Sequence, residues 1–364
     1  MEVLFNRLDR AYERYKEEYL KVCREVLESG WYVLGENVKK FEEEFASFIG
    51  AKYCVGVNSG LDALILAFRA LGIGHDDEVI VPANTYIASV LGITHNGATP
   101  VFVEPDEFYT VDVEKIEEKI TKKTKAILAV HLYGQAACMD KIRELADKYR
   151  LYVVEDCAQS HGAIYKGKMT GSWGDVGCFS FYPTKNMGAF GDGGAITTDS
   201  AVIADKVMML RNYGSKQKYY HEIEGFNSRL DEIQAAILRI KLKHYAEIKK
   251  ERQKIASKYI ANIKNNNILL PSVRAEGEHV WHLFVVRVEE REKFINYLKK
   301  EGIQVQIHYP VPPHLSGAYR SLGYREGDFP ITEEYARTVV SIPLYEGMKA
   351  KEVEYVIDVI NSYN

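Results

Sequence analysis

A single lysine, Lys185, stands between an apolar run and a glycine-rich loop in the segment FSFYPTKNMGAFGDGGAI, which spans 179–196. Four of the seven residues from Gly188 to Gly194 are glycines, which permit φ > 0 and a close approach of the backbone to a ligand. Lysine is mostly exposed in proteins, so residue type alone favours a solvated loop charge. The alternative is a partly desolvated amine near another cation, which loses pKa and forms Schiff bases with carbonyl compounds.

A carboxylate closes a second apolar run, in VVEDCAQSHGA (153–163). Strand alternation places Asp156 and Ala158 on one face, and a carboxylate at the end of an apolar strand is costly unless it is paired or functional. Asp156 is suited to hold a protonated ring nitrogen, while Ala158 lets a flat ring lie close and Gln159 supplies a neutral donor. For His161, a role as ligand or base stays open, but a hydrogen-bonded structural histidine is favoured.

A third group lies in the turn VNSGLDAL (57–64), where Asn58, Ser59 and Gly60 follow one apolar run and open a helical pattern. Free N–H groups and the positive end of a helix form an anion site, to which Ser59 adds a hydroxyl donor. A plain helix cap is an equally good interpretation, because Asn and Ser are favoured at that position. The phosphate-loop pattern GxxxxGK[ST] is absent from the chain.

An anion cradle, a carboxylate for a ring nitrogen and a lysine amine match the three handles of pyridoxal phosphate: its phosphate, its pyridine nitrogen and its aldehyde. Each signal is weak by itself. Together, in this chain order and each at the end of an apolar run, they predict a pyridoxal phosphate site. No metal site is predicted, since the five cysteines are scattered and lack CxxC spacing.

Short apolar runs separated by helix-length stretches have to position these groups. They read as buried parallel strands of a doubly wound α/β layer, whose ligands bind at the carboxyl ends of the strands. The runs are YCVGV (53–57), DEVIVP (77–82), TPVFVEP (99–105), TKAILAVHL (124–132) and LYVVEDCA (151–158). One long charge-rich helix is predicted over about 231–264. The pattern of apolar runs and helical stretches changes near that point. This change predicts a large α/β domain over 1–245, with an N-terminal helical segment, and a smaller α+β domain over 246–364.

Bulk composition limits the partners. A net charge of −4 at pH 7 and a pI near 6.2 provide no basic footprint for nucleic acid or an anionic membrane. No apolar run approaches the ~18 residues that span a bilayer, and the charged start of the chain does not read as a signal peptide. An odd number of dispersed cysteines is typical of a reducing interior, so a cytoplasmic location is expected.

Motifs along the whole chain resemble the DegT/DnrJ/EryC1/StrS family of nucleotide-sugar aminotransferases, which have the aspartate aminotransferase-like fold type I of pyridoxal phosphate enzymes. The stretches that carry the resemblance are GWYVLG, NSGLDAL, VPANTYIAS, HLYGQ, EDCAQSHGA, FSFYPTKNMGAFGDGGA, RNYGS, GFNSRLDEIQAAIL and IHYPVPPH. The NAD-binding pattern GxGxxG does not follow the first strand, which sets a dehydrogenase aside.

The resemblance implies that Lys185 forms the Schiff base with the cofactor and that Asp156 pairs with its pyridine nitrogen. It also implies further cofactor contacts: Gln159 to the ring hydroxyl, Ser59, Gly60 and Ser180 to the phosphate, Leu61 through its backbone N–H, Tyr86 stacked on the ring, and Asn227 to the phosphate of the partner subunit. The last contact implies a homodimer with composite active sites.

The implied reaction moves the amino group of L-glutamate to C3 of a dTDP-3-keto-6-deoxyhexose, with pyridoxamine phosphate formed midway. The products are a dTDP-3-amino-3,6-dideoxyhexose and 2-oxoglutarate. The alternatives are amination at C4, a sugar dehydratase, against which Lys185 argues because those relatives carry histidine there, and a non-catalytic regulatory homologue.

The residues expected to contact the sugar or its pyrophosphate are His308, Tyr309, Tyr182 and Trp31. A structural role for His308 at the end of a strand is equally open. Trp31 either lines the entrance with Tyr32 or anchors the N-terminal helix, and the anchor is slightly favoured.

Overall fold

Alternating strands and helices build a central seven-stranded sheet in the structure, a computed structural model that describes all 364 residues. The strands, numbered β1 to β14 in chain order, are Tyr53–Val57, Glu78–Pro82, Thr99–Val103, Thr124–Val130, Tyr152–Asp156, Ile164–Tyr165, Lys168–Met169, Val176–Ser180, Gly194–Thr198, Ser215–Gln217, Tyr220–His221, Gly277–Glu278, Phe284–Arg287 and Val339–Ile342. The five runs predicted as strands appear as β1 to β5.

Twelve α-helices surround the strands. Numbered α1 to α12, they are Leu8–Arg14, Lys16–Ser29, Glu36–Ile49, Gly60–Ala70, Ile87–Thr94, Met139–Tyr149, Ala201–Leu210, Glu232–Lys243, Tyr245–Asn262, Arg291–Lys300, Pro330–Thr338 and Ala350–Asn361. The single long helix predicted over 231–264 is wrong, because the chain breaks at His244 (φ −100°, ψ 5°) into α8 and α9. No helix combines the length and apolar character needed to cross a bilayer.

The central sheet has the order β1-β9-β8-β5-β4-β2-β3. Neighbouring strands pair in parallel from β8 to β3, and only β9 runs antiparallel, between β1 and β8. The strands are almost continuously buried because helices cover both faces, which is why they read as unbroken apolar runs. Since β1, β5 and β8 run the same way, their carboxyl ends meet at one edge of the sheet.

A second, smaller sheet forms beyond α9, where β13 pairs with β14. Its 24-residue apolar cluster draws on α9, α10 and α12, and Val3 is its one member from the N-terminal part of the chain. Val3 reaches it because it pairs with Ile303, a contact that the sequence division did not anticipate. The division at 245/246 falls at the start of α9, and this boundary remains a prediction.

A buried polar cluster braces the active-site end of β5. Ligand-type atoms of His131, Glu155 and Cys157 lie within 4.8 Å of one another, but hydrogen bonds occupy both ring nitrogens of His131 and both oxygens of Glu155. Ala137 N–H donates to Nδ1 of His131 (3.1 Å), so Nε2 carries the proton and donates it to Glu155 Oε2 (2.9 Å). We therefore interpret the cluster as structural.

Glu155 also organises the turn before β8. Its Oε2 accepts the N–H of Gly171 (2.8 Å), while Oε1 accepts those of Trp173 (2.8 Å) and Gly174 (2.7 Å). A fully buried carboxylate is tolerated because every one of these partners is a donor. The carboxylate thereby fixes the start of the strand that leads to Lys185.

We expect Glu155→Gln to lower the free energy of unfolding by about 3 kcal/mol, because an amide NH₂ then faces backbone donors and the charge-assisted bonds are lost. Urea unfolding of the cofactor-free protein at fixed concentration measures this. The matched control is Glu144→Gln on the exposed face of α6, where a change below about 0.5 kcal/mol is expected. Equal stability of the two variants would contradict the role of Glu155.

Candidate active site

The carboxyl ends of β1, β5 and β8 enclose a cavity of about 520 Å³. All but two of the residues predicted from the sequence line it: Ser59, Gly60, Leu61, Tyr86, Asp156, Gln159, Ser180, Tyr182, Lys185, His308 and Tyr309. Its walls come from the central sheet and, at His308 and Tyr309, from the chain that follows α10. The predicted assembly of distant segments into one pocket is thus present within a single chain.

Lys185 lies in the loop after β8, half-buried, and its amine makes no hydrogen bond or ion pair. Burial lowers the pKa of this amine to about 8, and the attraction of the Asp156 carboxylate acts in the opposite direction. A substantial fraction of the amine is therefore neutral just above neutral pH. This is the desolvated, reactive lysine that the sequence offered as the alternative to a surface charge.

Asp156, the last residue of β5, is only 7% exposed. Its Oδ2 accepts the hydroxyl of Ser89 (2.7 Å), and its Oδ1 accepts the N–H of Ala158 (3.1 Å). A carboxylate held at the floor of a cavity by two donors retains lone pairs for a third. Asp156 is therefore suited to a ring nitrogen that carries a proton.

The turn after β1 forms a cradle at the N-terminus of α4. Ser59 caps this helix by accepting the N–H of Asp62 (3.1 Å), so the interpretation as a helix cap is correct and leaves the other N–H groups of the turn available. A side chain at Gly60 would place its Cβ 2.5 Å from the Cβ of Ser180. Only glycine permits this approach, which brings the Ser180 hydroxyl beside the helix end.

These groups fit pyridoxal phosphate in the donor types that they offer. The helix N-terminus and two serine hydroxyls suit a phosphate, a buried carboxylate suits a pyridine nitrogen, and an unpaired amine suits an aldehyde. Tyr86, half exposed at the start of α5, supplies an aromatic face to the same cavity. The residues present therefore fit the group.

Gln159 links the cavity floor to the C-terminal part of the chain. Its Oε1 accepts the N–H of Tyr133 (2.6 Å), and its Nε2 donates to the hydroxyl of Tyr309 (3.0 Å). The Tyr133 hydroxyl donates to the carbonyl of His308. Gln159 is thereby oriented with its NH₂ group toward the cavity, as a contact to a ring hydroxyl requires.

Two predicted residues, Asn227 and Trp31, do not line the cavity. Asn227 is exposed, although the neighbouring Ser228 accepts the N–H of Asn58 in the cradle turn (3.1 Å). Trp31 is 64% exposed, and its indole N–H donates to the carbonyl of Val33 (2.8 Å). Within one chain neither side chain reaches the site, so their roles remain predictions.

His161 is fully buried against the rings of Phe179 and Phe181 and does not line the cavity. Burial lowers its pKa to about 3, so it is uncharged at neutral pH. This burial agrees with the structural role favoured from the sequence, but the expected hydrogen bond is absent, because neither ring nitrogen of His161 has a hydrogen-bond partner.

Among the polar cavity residues that sequence reasoning missed are Thr85, Ser89 and His282. Thr85 and Ser89 are four residues apart in VPANTYIAS, but α5 begins only at Ile87, so the spacing by itself did not mark them as neighbours. His282 had no local signal, because the long connection that delivers it is defined only by tertiary packing. Its Nδ1 lies 3.2 Å from Oδ1 of Asn186, and burial holds its pKa well below the ordinary range.

The reactivity of Lys185 in the cofactor-free protein should rise with pH to a midpoint near 8, against about 10.4 for ordinary lysines. Acylation followed by peptide mass spectrometry measures this residue by residue. Asp156→Asn should move the midpoint lower still, because removing the carboxylate removes a charge that favours the ammonium. The control Asp192→Asn removes an exposed carboxylate at the same cavity and should leave the midpoint in place. A wild-type midpoint near 10 would contradict the desolvated site.

Comparison with known proteins places the chain among transaminases. A model of the DegT/DnrJ/EryC1/StrS aminotransferase family matches residues 13–361. A dTDP-3-amino-3,6-dideoxy-alpha-D-galactopyranose transaminase of Aneurinibacillus thermoaerophilus is 56% identical over 351 residues, covering 96% of each chain. A dTDP-3-amino-3,4,6-trideoxy-alpha-D-glucose transaminase of Streptomyces venezuelae is 48% identical over 363 residues, covering 99% of this chain and 96% of the relative.

A solved structure agrees in fold. Bacillus subtilis NtdA with bound cofactor PMP matches with a TM-score of 0.92 at 32% identity, covering 99% of this chain and 84% of that one. The predicted fold class, aminotransferase activity and pyridoxal phosphate cofactor are confirmed by these matches. The chain belongs to the DegT/DnrJ/EryC1/StrS aminotransferase family.

Proposed function

We propose that this protein transfers the amino group of L-glutamate to C3 of a dTDP-3-keto-6-deoxyhexose, giving a dTDP-3-amino-3,6-dideoxyhexose and 2-oxoglutarate. The observation that carries the proposal is the convergence of Lys185, Asp156 and the Ser59 turn on one cavity. The choice of sugar rests on the names of the two transaminases above, both of which concern a 3-amino group on a dTDP-linked sugar.

Pyridoxal phosphate, when bound, holds the donor amino group and spreads the charge that develops as the donor Cα–H bond breaks. Lys185 would accept this proton at Nζ as general base and then, as general acid, give it to the cofactor carbon that carried the aldehyde. A pKa of about 8 suits both roles, because the neutral and charged forms of the amine are then both accessible near neutral pH. Asp156 keeps a proton on the ring nitrogen, and the Ser59 turn holds the phosphate.

The imidazole of His308, which lines the cavity, is uncharged at neutral pH. Burial and the nearby Lys185 lower the pKa of His308 to about 4, and its Nδ1 is 2.8 Å from the hydroxyl of Ser341. A neutral imidazole recognises hydroxyl or carbonyl groups better than a pyrophosphate charge. We therefore assign His308 to the keto sugar, and the more exposed Tyr182 to the outer part of the substrate.

The regiochemistry is tested by following the visible absorbance of the protein. L-Glutamate should bleach the band of the lysine-bound cofactor, and a dTDP-3-keto-6-deoxyhexose should restore it with release of the amino sugar. A faster recovery with the 4-keto isomer would contradict the assignment to C3.

Two substitutions test the assigned roles. Lys185→Ala should abolish the visible band and cut transfer by at least about 10²- to 10⁴-fold, as expected for a lost acid–base group. Asp156→Asn should lower kcat by about 10²- to 10³-fold, whereas the matched Asp192→Asn should stay near wild type. Wild-type turnover by Asp156→Asn would refute its role.

We also propose that the protein acts as a homodimer whose active sites are composite. Asn227 is exposed, yet the chain beside it is fixed to the cradle turn, because Ser228 also donates to Asp62 (2.6 Å). Two exposed aromatic rings support a covering partner: Tyr86, which lines the cavity, and Tyr213, whose N–H donates to the carbonyl of Phe226 next to Asn227. A cytoplasmic location, expected from five free cysteines, remains part of this proposal.

Subunit mixing tests the composite site. Lys185→Ala dimers should be inactive, and Asn227→Asp dimers should bind cofactor weakly, because a carboxylate then meets the phosphate. Mixing the two unfolded chains and refolding them should restore roughly a quarter of wild-type activity, since half of the dimers are mixed and each has one intact site. Refolding each variant alone is the control. No recovery in a mixture shown to contain mixed dimers would exclude a contribution of Asn227 across the interface.

A further inference from the structure

A chain of buried hydrogen bonds leads away from the Asp156 carboxylate. Ser89 Oγ donates to Asp156 Oδ2 at 2.7 Å, and Thr85 Oγ1 lies 2.7 Å from Ser89 Oγ. Thr85 and Ser89 are 2% and 0% exposed, respectively. Both hydroxyls lie beneath the cavity surface that receives the ring, and no role has yet been derived for them.

The carboxylate decides the direction of these bonds. An ionised carboxylate only accepts, so Ser89 must donate its one hydroxyl proton to Asp156. Ser89 Oγ is then left as an acceptor, and Thr85 must donate to it. Bonds aligned in this way polarise one another. The pair is thus a one-way relay that stabilises negative charge on Asp156.

One turn of chain builds this arrangement. Tyr86 has extended backbone angles (φ −70°, ψ 145°) and precedes α5, and the Ser89 N–H donates to the Tyr86 carbonyl (3.1 Å). Thr85 and Ser89 are four residues apart, so both hydroxyls lie on the inner side of the turn, while the Tyr86 ring lies on the outer side. This segment therefore fixes the position of the Tyr86 ring relative to the hydroxyls of Thr85 and Ser89.

We propose that Ser89, backed by Thr85, is a positioning residue that keeps the proton shared by Asp156 and the cofactor on the ring nitrogen. A hydrogen bond to the ionised form of a carboxylate favours that form, so the ring nitrogen remains the protonated partner. The inference rests on the proposed function, because it requires Asp156 to face the ring nitrogen. In this proposal Ser89 helps to set the protonation state of the ring, in addition to its part in the packing of α5.

The other titratable groups around Asp156 do not supply this effect. They are Lys185 from the loop after β8, Cys157 and Cys178 from the adjoining strands, and Tyr309 from the C-terminal part. Burial raises the pKa of both thiols and of the Tyr309 hydroxyl, so these three stay neutral near pH 7. Lys185 alone changes charge in that range, so the variants below are compared at one fixed pH.

The test uses the full-length protein saturated with pyridoxamine phosphate labelled with ¹⁵N in the ring, a probe that forms no bond to Lys185. The ¹⁵N chemical shift reports the proton on the ring nitrogen directly. In Ser89→Ala the ¹⁵N signal at one fixed pH near 7 should move toward the position of the unprotonated ring, because the equilibrium that divides the shared proton between the ring nitrogen and Asp156 shifts roughly tenfold toward Asp156, as expected for the loss of one hydrogen bond to a charged group. Thr85→Val should shift it the same way but less, and Thr85→Ser should restore the wild-type value.

The matched control is Ser160→Ala. Ser160 is also fully buried and pairs with a threonine hydroxyl, that of Thr170 (3.0 Å), but it does not contact Asp156. A structural effect of losing a buried hydroxyl should lower the melting temperature of both alanine variants, whereas the ¹⁵N signal at fixed pH should move only in Ser89→Ala. If Ser89→Ala does not fold, the ¹⁵N signals of Thr85→Val and Thr85→Ser provide the same test, because only the second variant keeps the hydroxyl.

The outcomes separate this inference from the proposed function. If Asp156→Asn deprotonates the ring nitrogen but Ser89→Ala and Thr85→Val leave the ¹⁵N signal unchanged, the inference is wrong and the placement of Asp156 stands. If Asp156→Asn itself has no effect on the ¹⁵N shift, the placement of the cofactor is wrong. A matching shift in Ser160→Ala would reduce Ser89 to a packing residue and overturn the inference.

Discussion

The buried carboxylate of Asp156 imposes the strictest requirement on the site. A negative charge at the end of an apolar strand is stable only where donors meet it, and here Ser89 and the Ala158 N–H do so. The same charge opposes the burial that lowers the pKa of Lys185. The Asp156 carboxylate thus affects both the polarity of the cavity floor and the reactivity of the Lys185 amine. The surrounding helices and turns exclude water from it.

Glycines and short side chains let the three strand ends come close enough to act on one ligand. Gly60 has no room for a side chain beside Ser180, and a side chain at Gly194 would collide with the carbonyl of Ser59. The cradle turn therefore lies directly against β8 and β9, the strands that flank the Lys185 loop. Close backbone contact, more than any one polar residue, sets the spacing between the anion cradle and the amine.

The C-terminal part of the chain completes the cavity by packing polar groups across it. Gln159 is held between Tyr133 and Tyr309, and Arg252 on α9 donates to the carbonyls of Trp281 and His282. A fully buried arginine bound only to carbonyl groups is costly to leave unpaired, so it constrains the segment that delivers His282. This packing holds the small sheet in a fixed position relative to the cavity that the large sheet forms.

Local sequence patterns identified the family, the strands β1 to β5 and about half of the cavity residues, because buried parallel strands and strand-end polar groups leave such patterns. Asp156 stood out because a carboxylate is costly at the end of an apolar strand, and Lys185 stood out because a glycine-rich loop follows it. Only the tertiary structure decided that Thr85 and Ser89 turn toward Asp156 and that His282 enters the cavity. It also placed Asn227 and Trp31 outside the cavity of a single chain. These outcomes depend on contacts between segments far apart in the chain, whose energies no local spacing encodes.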